Sequence, residues 1–200
     1  MGVEEDLAAL AEHLDDETNA RLHARLVVAA EQAGVLDVAY RTVDTPVGPL
    51  LLASTAEGLV RVAYDREDHD AVLAKLAKSL SPRILKAPNR FDEIARQLDE
   101  YFTRRRTEFS FRLDLRLSTG FRRQVLAHLP EIRYGHTESY AQVAQAAGSP
   151  KAVRAVGTAC ATNPLPVVVP CHRVVRSDGS SGGYVGGAEA KRTLLDLEAA

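Results

Sequence analysis

The 200-residue chain predicts a two-part α/β protein. A small antiparallel sheet with helices comes first, and a mostly helical half built around a helix-turn-helix follows. Three observations predict it. From Val38 apolar residues alternate with period two through three short runs. From Phe121 the period becomes helical, and a glycine-containing turn then separates two short helical stretches near Gly148. A hydrophobic fraction of 46% supplies a sizeable core. No apolar run approaches the roughly 18 residues of a membrane helix.

Residues 1–37 read as an acidic helical extension. Leu7, Leu10, Ala11 and Leu14 repeat at helical spacing, as do Leu22, Leu26, Val27 and Ala30. The DDETN cluster is expected to separate the two helices and cap the second. The opening MGVEED is too acidic for a secretory or transit peptide, and Asp6 stands where a myristoylation signal needs Ser or Thr. Three readings of the extension stand side by side: a packed appendage with a solvated acidic face, a docking site for a protein partner, and an acidic flap that competes with nucleic acid.

The α/β unit is expected over 38–112. VAYRTVDTP, GPLLLAST and GLVRVAYD are its strand-like runs, broken by TPVGP and by Glu57-Gly58, which predicts an antiparallel meander. Helices follow around 69–79 and 91–103, with Pro82 and Pro88 between them. Arg104-Arg105-Arg106 reads as a solvated loop between the two units.

Residues 113–200 form the second unit. FRRQVLAHLPEI (121–132) is one amphipathic helix, and Ser139–Ala144 starts another that stops at Gly148. Ser149-Pro150 is a start signal for a third, KAVRAVGTACATN. A turn of three to four residues between the last two gives helix-turn-helix dimensions, with Lys151 and Arg154 at the start of the second, where DNA contacts are made. Leu165–Pro170 (LPVVVP) reads as a buried strand or extended segment. A glycine-rich loop over 177–187 and a final helix, AEAKRTLLDLE, complete the chain.

The net charge of −2 argues against nucleic acid until it is divided. Residues 1–38 hold nine acids against Arg21 and Arg25, a net −7; residues 101–176 hold twelve Lys and Arg against four acids, a net +8. An acidic head is joined to a basic body that suits a polyanion.

Two cysteines exclude a disulfide scaffold, and six scattered histidines with no CxxC give no zinc pattern. Reduced thiols in a cytoplasm follow. Cys160, between alanines in a helix, reads as a small buried hydrophobe. Cys171 adjoins His172 and Arg173, and positive neighbours favour a thiolate, so an activated nucleophile that needs no metal or cofactor is the sharper reading. Adjacent residues on a strand point to opposite faces, so either the backbone turns at Cys171 or a water bridges the pair. The glycine-rich loop matches neither a dinucleotide fingerprint nor a P-loop, and its glycines would let backbone approach a ligand closely.

PCHRV at 170–174, preceded by SYAQVA, RAVG and TACATNP and followed by GGYVGG and AEAKRTLLDLE, resembles the O6-alkylguanine-DNA alkyltransferases, also called methylated-DNA–protein-cysteine methyltransferases. The likeness covers about 40–200, most strongly from 120, and TVDTPVGPLLLA resembles the family's opening hairpin. It implies a ribonuclease H-like first unit and a winged helix-turn-helix second unit carrying the active site. It also implies direct-reversal DNA repair, with one alkyl group moved from guanine O6 in duplex DNA to Cys171 after base flipping, once per protein molecule. His172 would act through a water as base, oriented by Glu198, and Asn163 would hold the active-site segment. Arg154 would enter from the minor groove and fill the place of the flipped nucleotide. Tyr140 would press on the target phosphate and donate to the departing guanine. Tyr184, Val174 and Val185 would form the base pocket, and Lys191 would help electrostatically. No cysteine-rich sensor segment is present, so a methylation-driven transcriptional switch is not implied. The competing readings are a non-catalytic lesion binder, which would lack the cysteine, and a helix-turn-helix transcription factor with an incidental thiol.

Overall fold

The computed structural model describes residues 16–199. The first predicted helix, around Leu7–Leu14, lies outside them. Helix α1 spans Asp16–Gln32. Asp16, Glu17, Thr18 and Asn19 are therefore its first turn rather than a linker, and the two acids sit at the positive end of the helix dipole. Gly34 (φ +65°) ends it: Gly34 N–H reaches Glu31 O and Val35 N–H reaches Ala30 O, the paired bonds of a Schellman cap. Val27 and Leu36 pack against the core. His23 Nε2 lies 2.5 Å from Lys86 O, which seats α1 on the α/β unit.

The meander forms as expected. Strands β1 (Val38–Val43), β2 (Leu50–Thr55) and β3 (Gly58–Tyr64) pair antiparallel in sequence. The sheet is not purely antiparallel, however. A three-residue β4, Ile84–Lys86, runs parallel to β1 and makes the order β3-β2-β1-β4. Period two divides the side chains between two faces. Leu51, Ala53, Val60 and Ala63 meet Val72 and Leu76 of α2 (His69–Ser79). Leu50, Leu52, Leu59 and Val62 join Ile94, Leu98 and Tyr101 of α3 (Asp92–Phe102), and the same core continues into the second unit. The arginine triplet after α3 is not a free loop. Arg105 pairs with Asp99, Arg106 with Glu100, and Arg104 Nε donates to Leu197 O near the end of the chain.

In the second unit α4 (Gly120–His128) is shorter than predicted, because Pro130 turns its end into a 3-10 segment, Leu129–Glu131. Strand β5 (Glu138–Ser139) pairs in parallel with β6 (Val174–Val175). Ser139 caps α5 (Tyr140–Ala146) in a reciprocal capping box with Gln142. Gly148 (φ +72°) closes α5 with a second Schellman pair, Gly148 N–H to Gln145 O and Ser149 N–H to Ala144 O. Helix α6 (Val153–Ala161) starts later than the Ser-Pro signal predicts. Ser149-Pro150 instead forms a turn closed by Ala152 N–H on Ser149 O, so residues 147–152 connect the helices, a longer turn than expected. Helix α7 spans Gly187–Glu198. No helix among the described residues is long and apolar enough to cross a membrane.

Leu165–Pro170 is buried but is not a strand. Val169 N–H returns to Leu165 O, and Val167 sits at φ +72°, a strained choice for a β-branched residue. The segment is a tight turn that lifts the next residues, Cys171–Arg173, into a 3-10 turn.

Candidate active site

Asn163 organises that turn from inside. Its Oδ1 accepts Leu165 N–H at 3.0 Å, and its Nδ2 donates to Val169 O at 2.8 Å and to Cys171 Sγ at 3.1 Å. One buried side chain thus fixes both the loop and the sulfur. Cys171 is 1% exposed. Burial pushes its thiol up to about 11, against the opposing pull of the Asn163 hydrogen bond and the Lys191 charge. The free protein therefore holds a thiol, and the expectation that His172 and Arg173 favour a resting thiolate is corrected. Arg173 is committed elsewhere, and burial keeps His172 neutral by holding its pKa below the ordinary value. Lys191 on α7 is the cation that acts on the sulfur; it is fully buried, with Nζ donating to Val174 O at 2.6 Å. Cys160 is buried in α6, and desolvation raises it to about 12, consistent with an inert thiol.

The backbone turns at Cys171, which opens a 3-10 turn with His172 and Arg173. His172 Nε2 lies 2.9 Å from Glu198 Oε1, and its Nδ1 is buried with no hydrogen-bond partner among the described residues. The carboxylate fixes the tautomer: Nε2 carries the proton and Nδ1 keeps the basic lone pair. Glu198 is held by more than histidine. Arg173 Nε donates to Oε2 at 2.8 Å, Arg173 Nη2 to Oε1 at 3.0 Å, and Tyr101 Oη to Oε1 at 2.6 Å. These bonds hold its carboxyl at about 2 despite burial.

Tyr184 stands edge-on to His172, ring centroids 6.3 Å apart, and its hydroxyl meets that of Tyr64 at 2.9 Å. The glycines of the loop do allow close approach, but to the chain itself. A Cβ on Gly182 would sit 2.2 Å from Tyr140 Oη, and one on Gly186 would sit 2.5 Å from the Tyr64 ring. Two tyrosines thus seat the loop that carries Tyr184 and Val185. Val174 is fully buried and its carbonyl already accepts from Lys191, whereas Val185 and Asn163 line a cleft of about 580 Å³. Burial raises Tyr140 above the ordinary phenol value, so it stays a proton donor. Arg154, in the first turn of α6, and Lys151, in the turn before it, are exposed and form no ion pair among the described residues. Tyr101, Tyr64 and Arg173 were invisible to sequence reasoning in these roles, since their partners lie 97, 120 and 25 residues away. A hollow of about 830 Å³ between α1 and the β4 region contains none of these groups.

The fold and site define a DNA-binding unit that carries a closed, polar-wired cysteine, joined to a ribonuclease-like unit. Residues 120–200 match the family profile described as 6-O-methylguanine DNA methyltransferase, DNA binding domain, and residues 38–115 match its ribonuclease-like domain. The methylated-DNA–protein-cysteine methyltransferase of Mycobacterium tuberculosis is 39% identical over 159 residues, covering 80% of this chain and 91% of that protein. The constitutive enzyme of that name from Bacillus subtilis is 38% identical over 160 residues, covering 80% and 94%. The crystal structure of Mycobacterium tuberculosis OGT in complex with DNA superposes with a TM-score of 0.70 at 39% identity, covering 80% of this chain and 92% of that one. The chain belongs to the methylated-DNA–protein-cysteine methyltransferase family.

Proposed function

We propose that this protein repairs O6-alkylguanine in double-stranded DNA by a single transfer of the alkyl group to Cys171. The observation that carries the proposal is the pair of buried contacts Asn163–Cys171 and His172–Glu198, the first on the chain just past the helix whose first turn displays Arg154. An alkyl carbon on O6 is out of reach inside a duplex, so the base must leave the stack. Arg154 takes its place, while Lys151 and the basic body hold the backbone. The flipped base enters beside Tyr184 and Val185, with backbone near Val174 and Val185 reading its edge.

The resting thiol has to lose its proton as the base arrives. A water between Cys171 Sγ and His172 Nδ1 carries that proton to the imidazole, and Glu198 stabilises the imidazolium. The thiolate, steadied by Asn163 and Lys191, attacks the alkyl carbon. The S–C bond forms, the C–O bond breaks, and the electron pair returns to guanine, which takes a proton from the Tyr140 hydroxyl. Nothing in the site reverses a thioether, so each chain acts once. The reaction needs no cofactor, and a reducing cytoplasm would keep Cys171 available.

Duplex DNA carrying O6-[methyl-labelled]guanine, supplied in excess, tests this. Label in the protein should plateau at one methyl per chain and vanish in Cys171→Ala. Continuing turnover would overturn the proposal, as would lesion binding without transfer, the mark of a non-catalytic binder, or binding that ignores alkylation, the mark of a transcription factor.

A further inference from the structure

We infer that Tyr101, contributed by the ribonuclease-like unit, is a positioning residue of the alkyl-transfer site: its hydroxyl divides Glu198 Oε1 between itself and His172 and so keeps the imidazole free to act as a base. The inference rests on the transfer reading above and deepens it.

Tyr101 lies on α3, in the first unit, and its side chain is fully buried. The ring packs against Phe102, Phe109 and Tyr134 at 5.3, 5.3 and 6.1 Å between centroids. Packing alone would be served by phenylalanine. The hydroxyl has one partner among the described residues, Glu198 Oε1 at 2.6 Å, the oxygen that also accepts His172 Nε2 and Arg173 Nη2. A short bond to a carboxylate is charge-assisted and withdraws electron density from its oxygen. Oε1 is then a weaker acceptor for the imidazole N–H, and a weaker Glu198–His172 bond leaves the imidazolium less favoured at rest. Burial acts in the same direction on His172, as do the charges of Arg173 and Lys191. The other groups facing this cluster are Cys171, Tyr134 and Tyr184, with Arg104 acting through Tyr134. Tyr101 is itself held protonated by burial and by the Glu198 charge, so it remains a donor across the working pH range. A hydroxyl from the first unit thereby adjusts the proton acceptor of the second.

Tyr101→Phe keeps the ring and removes one donor. Oε1 still accepts from His172 and Arg173, so no buried acceptor is orphaned. Transfer from O6-methylguanine DNA is to be timed for both proteins from roughly pH 5 to 9, with thermal unfolding and the His172 ring 15N shifts followed in parallel. The variant should fold and take up the same one methyl per chain. His172 should titrate at higher pH, and transfer should slow about tenfold at the acid end but only about twofold at the alkaline end. Unchanged rates with an unmoved His172 titration overturn the inference. So does a uniform slowing at every pH with the titration unmoved, which is the mark of a packing role. If the wild-type chain takes up no methyl, the transfer reading itself fails, and the His172 titration still decides whether Tyr101 adjusts the imidazole.

Discussion

Glu198→Gln removes one negative charge from the centre of the site while keeping the shape of the side chain. In the native protein the carboxylate accepts five bonds, from Tyr101, His172, Arg173 Nε and Arg173 Nη2 at 2.6 to 3.0 Å and from Gly135 N–H at 3.4 Å, at 4% exposure. Folding lowers its pKa from 4.5 to about 2. At 1.36 kcal/mol per unit that amounts to roughly 3 kcal/mol of stability. Breaking a buried pair by removing one partner costs roughly 3–5 kcal/mol, because Arg173 keeps its charge without a counter-ion. The two routes agree. For a chain of this size the loss corresponds to a Tm about 6–12 °C lower at neutral pH. Because folding depresses this pKa, the contribution is full above about pH 4.5 and drains away as pH falls toward 2. Wild type and variant should therefore converge in stability in that acid window. Burial of neutral His172 adds a separate loss below its ordinary value of 6.5, present in both proteins. Transfer should slow by about 10²-fold, since the imidazolium loses its counter-charge. Differential scanning calorimetry at several pH values and single-turnover transfer are the assays. A Tm within about 2 °C of wild type, or a gap that persists unchanged at pH 2, would mean that the Glu198 charge does not stabilise the site.

Asn163→Ala should lower stability by about 2 kcal/mol, because it unmakes two buried backbone bonds and frees the turn around Val167; chemical denaturation checks this, and thiol alkylation against pH should show Cys171 titrating higher. Arg154→Ala should weaken repair of duplex DNA by tenfold or more while leaving reaction with free O6-benzylguanine within about twofold; equal loss in both assays would contradict the wedge role. Removing residues 1–36 should leave the transfer rate unchanged and cost a few degrees of Tm, since Ala30 is the only buried residue of α1; loss of transfer in the folded truncation would show that the extension takes part.

Local pattern foretold the elements whose residues meet close neighbours in sequence. The alternation of β1 to β3 and the stop of α5 before Gly148 are of this kind. Strand β4 was not legible, because three residues between prolines acquire strand geometry only by lying beside β1, some 46 positions earlier. LPVVVP misled for the opposite reason. Its β-branched run predicts a strand, but Asn163 holds both ends of the segment and forces Val167 to a left-handed φ. Family motifs pointed to Cys171, His172, Glu198 and Asn163, and the structure brings these four together. Adjacency misled only on what acts on the Cys171 thiol: Arg173, two positions on, spends its charge on Glu198, while Lys191, twenty residues away and expected from the family resemblance to help electrostatically, is the cation that pulls on the sulfur. Nothing local to the sequence sets Tyr101 apart from Phe102 beside it. Only the fold shows that its hydroxyl faces a carboxylate.

The central claim is that Cys171, and no other group, ends the reaction carrying the alkyl carbon. Intact-protein mass spectrometry after incubation with duplex O6-methylguanine, followed by peptide mapping, tests it most directly. Every active molecule should gain the mass of one CH2, located on the peptide containing Cys171, while the duplex is left with ordinary guanine. A methyl group found on Cys160, or an unmodified protein beside a duplex that has lost its lesion, would contradict it.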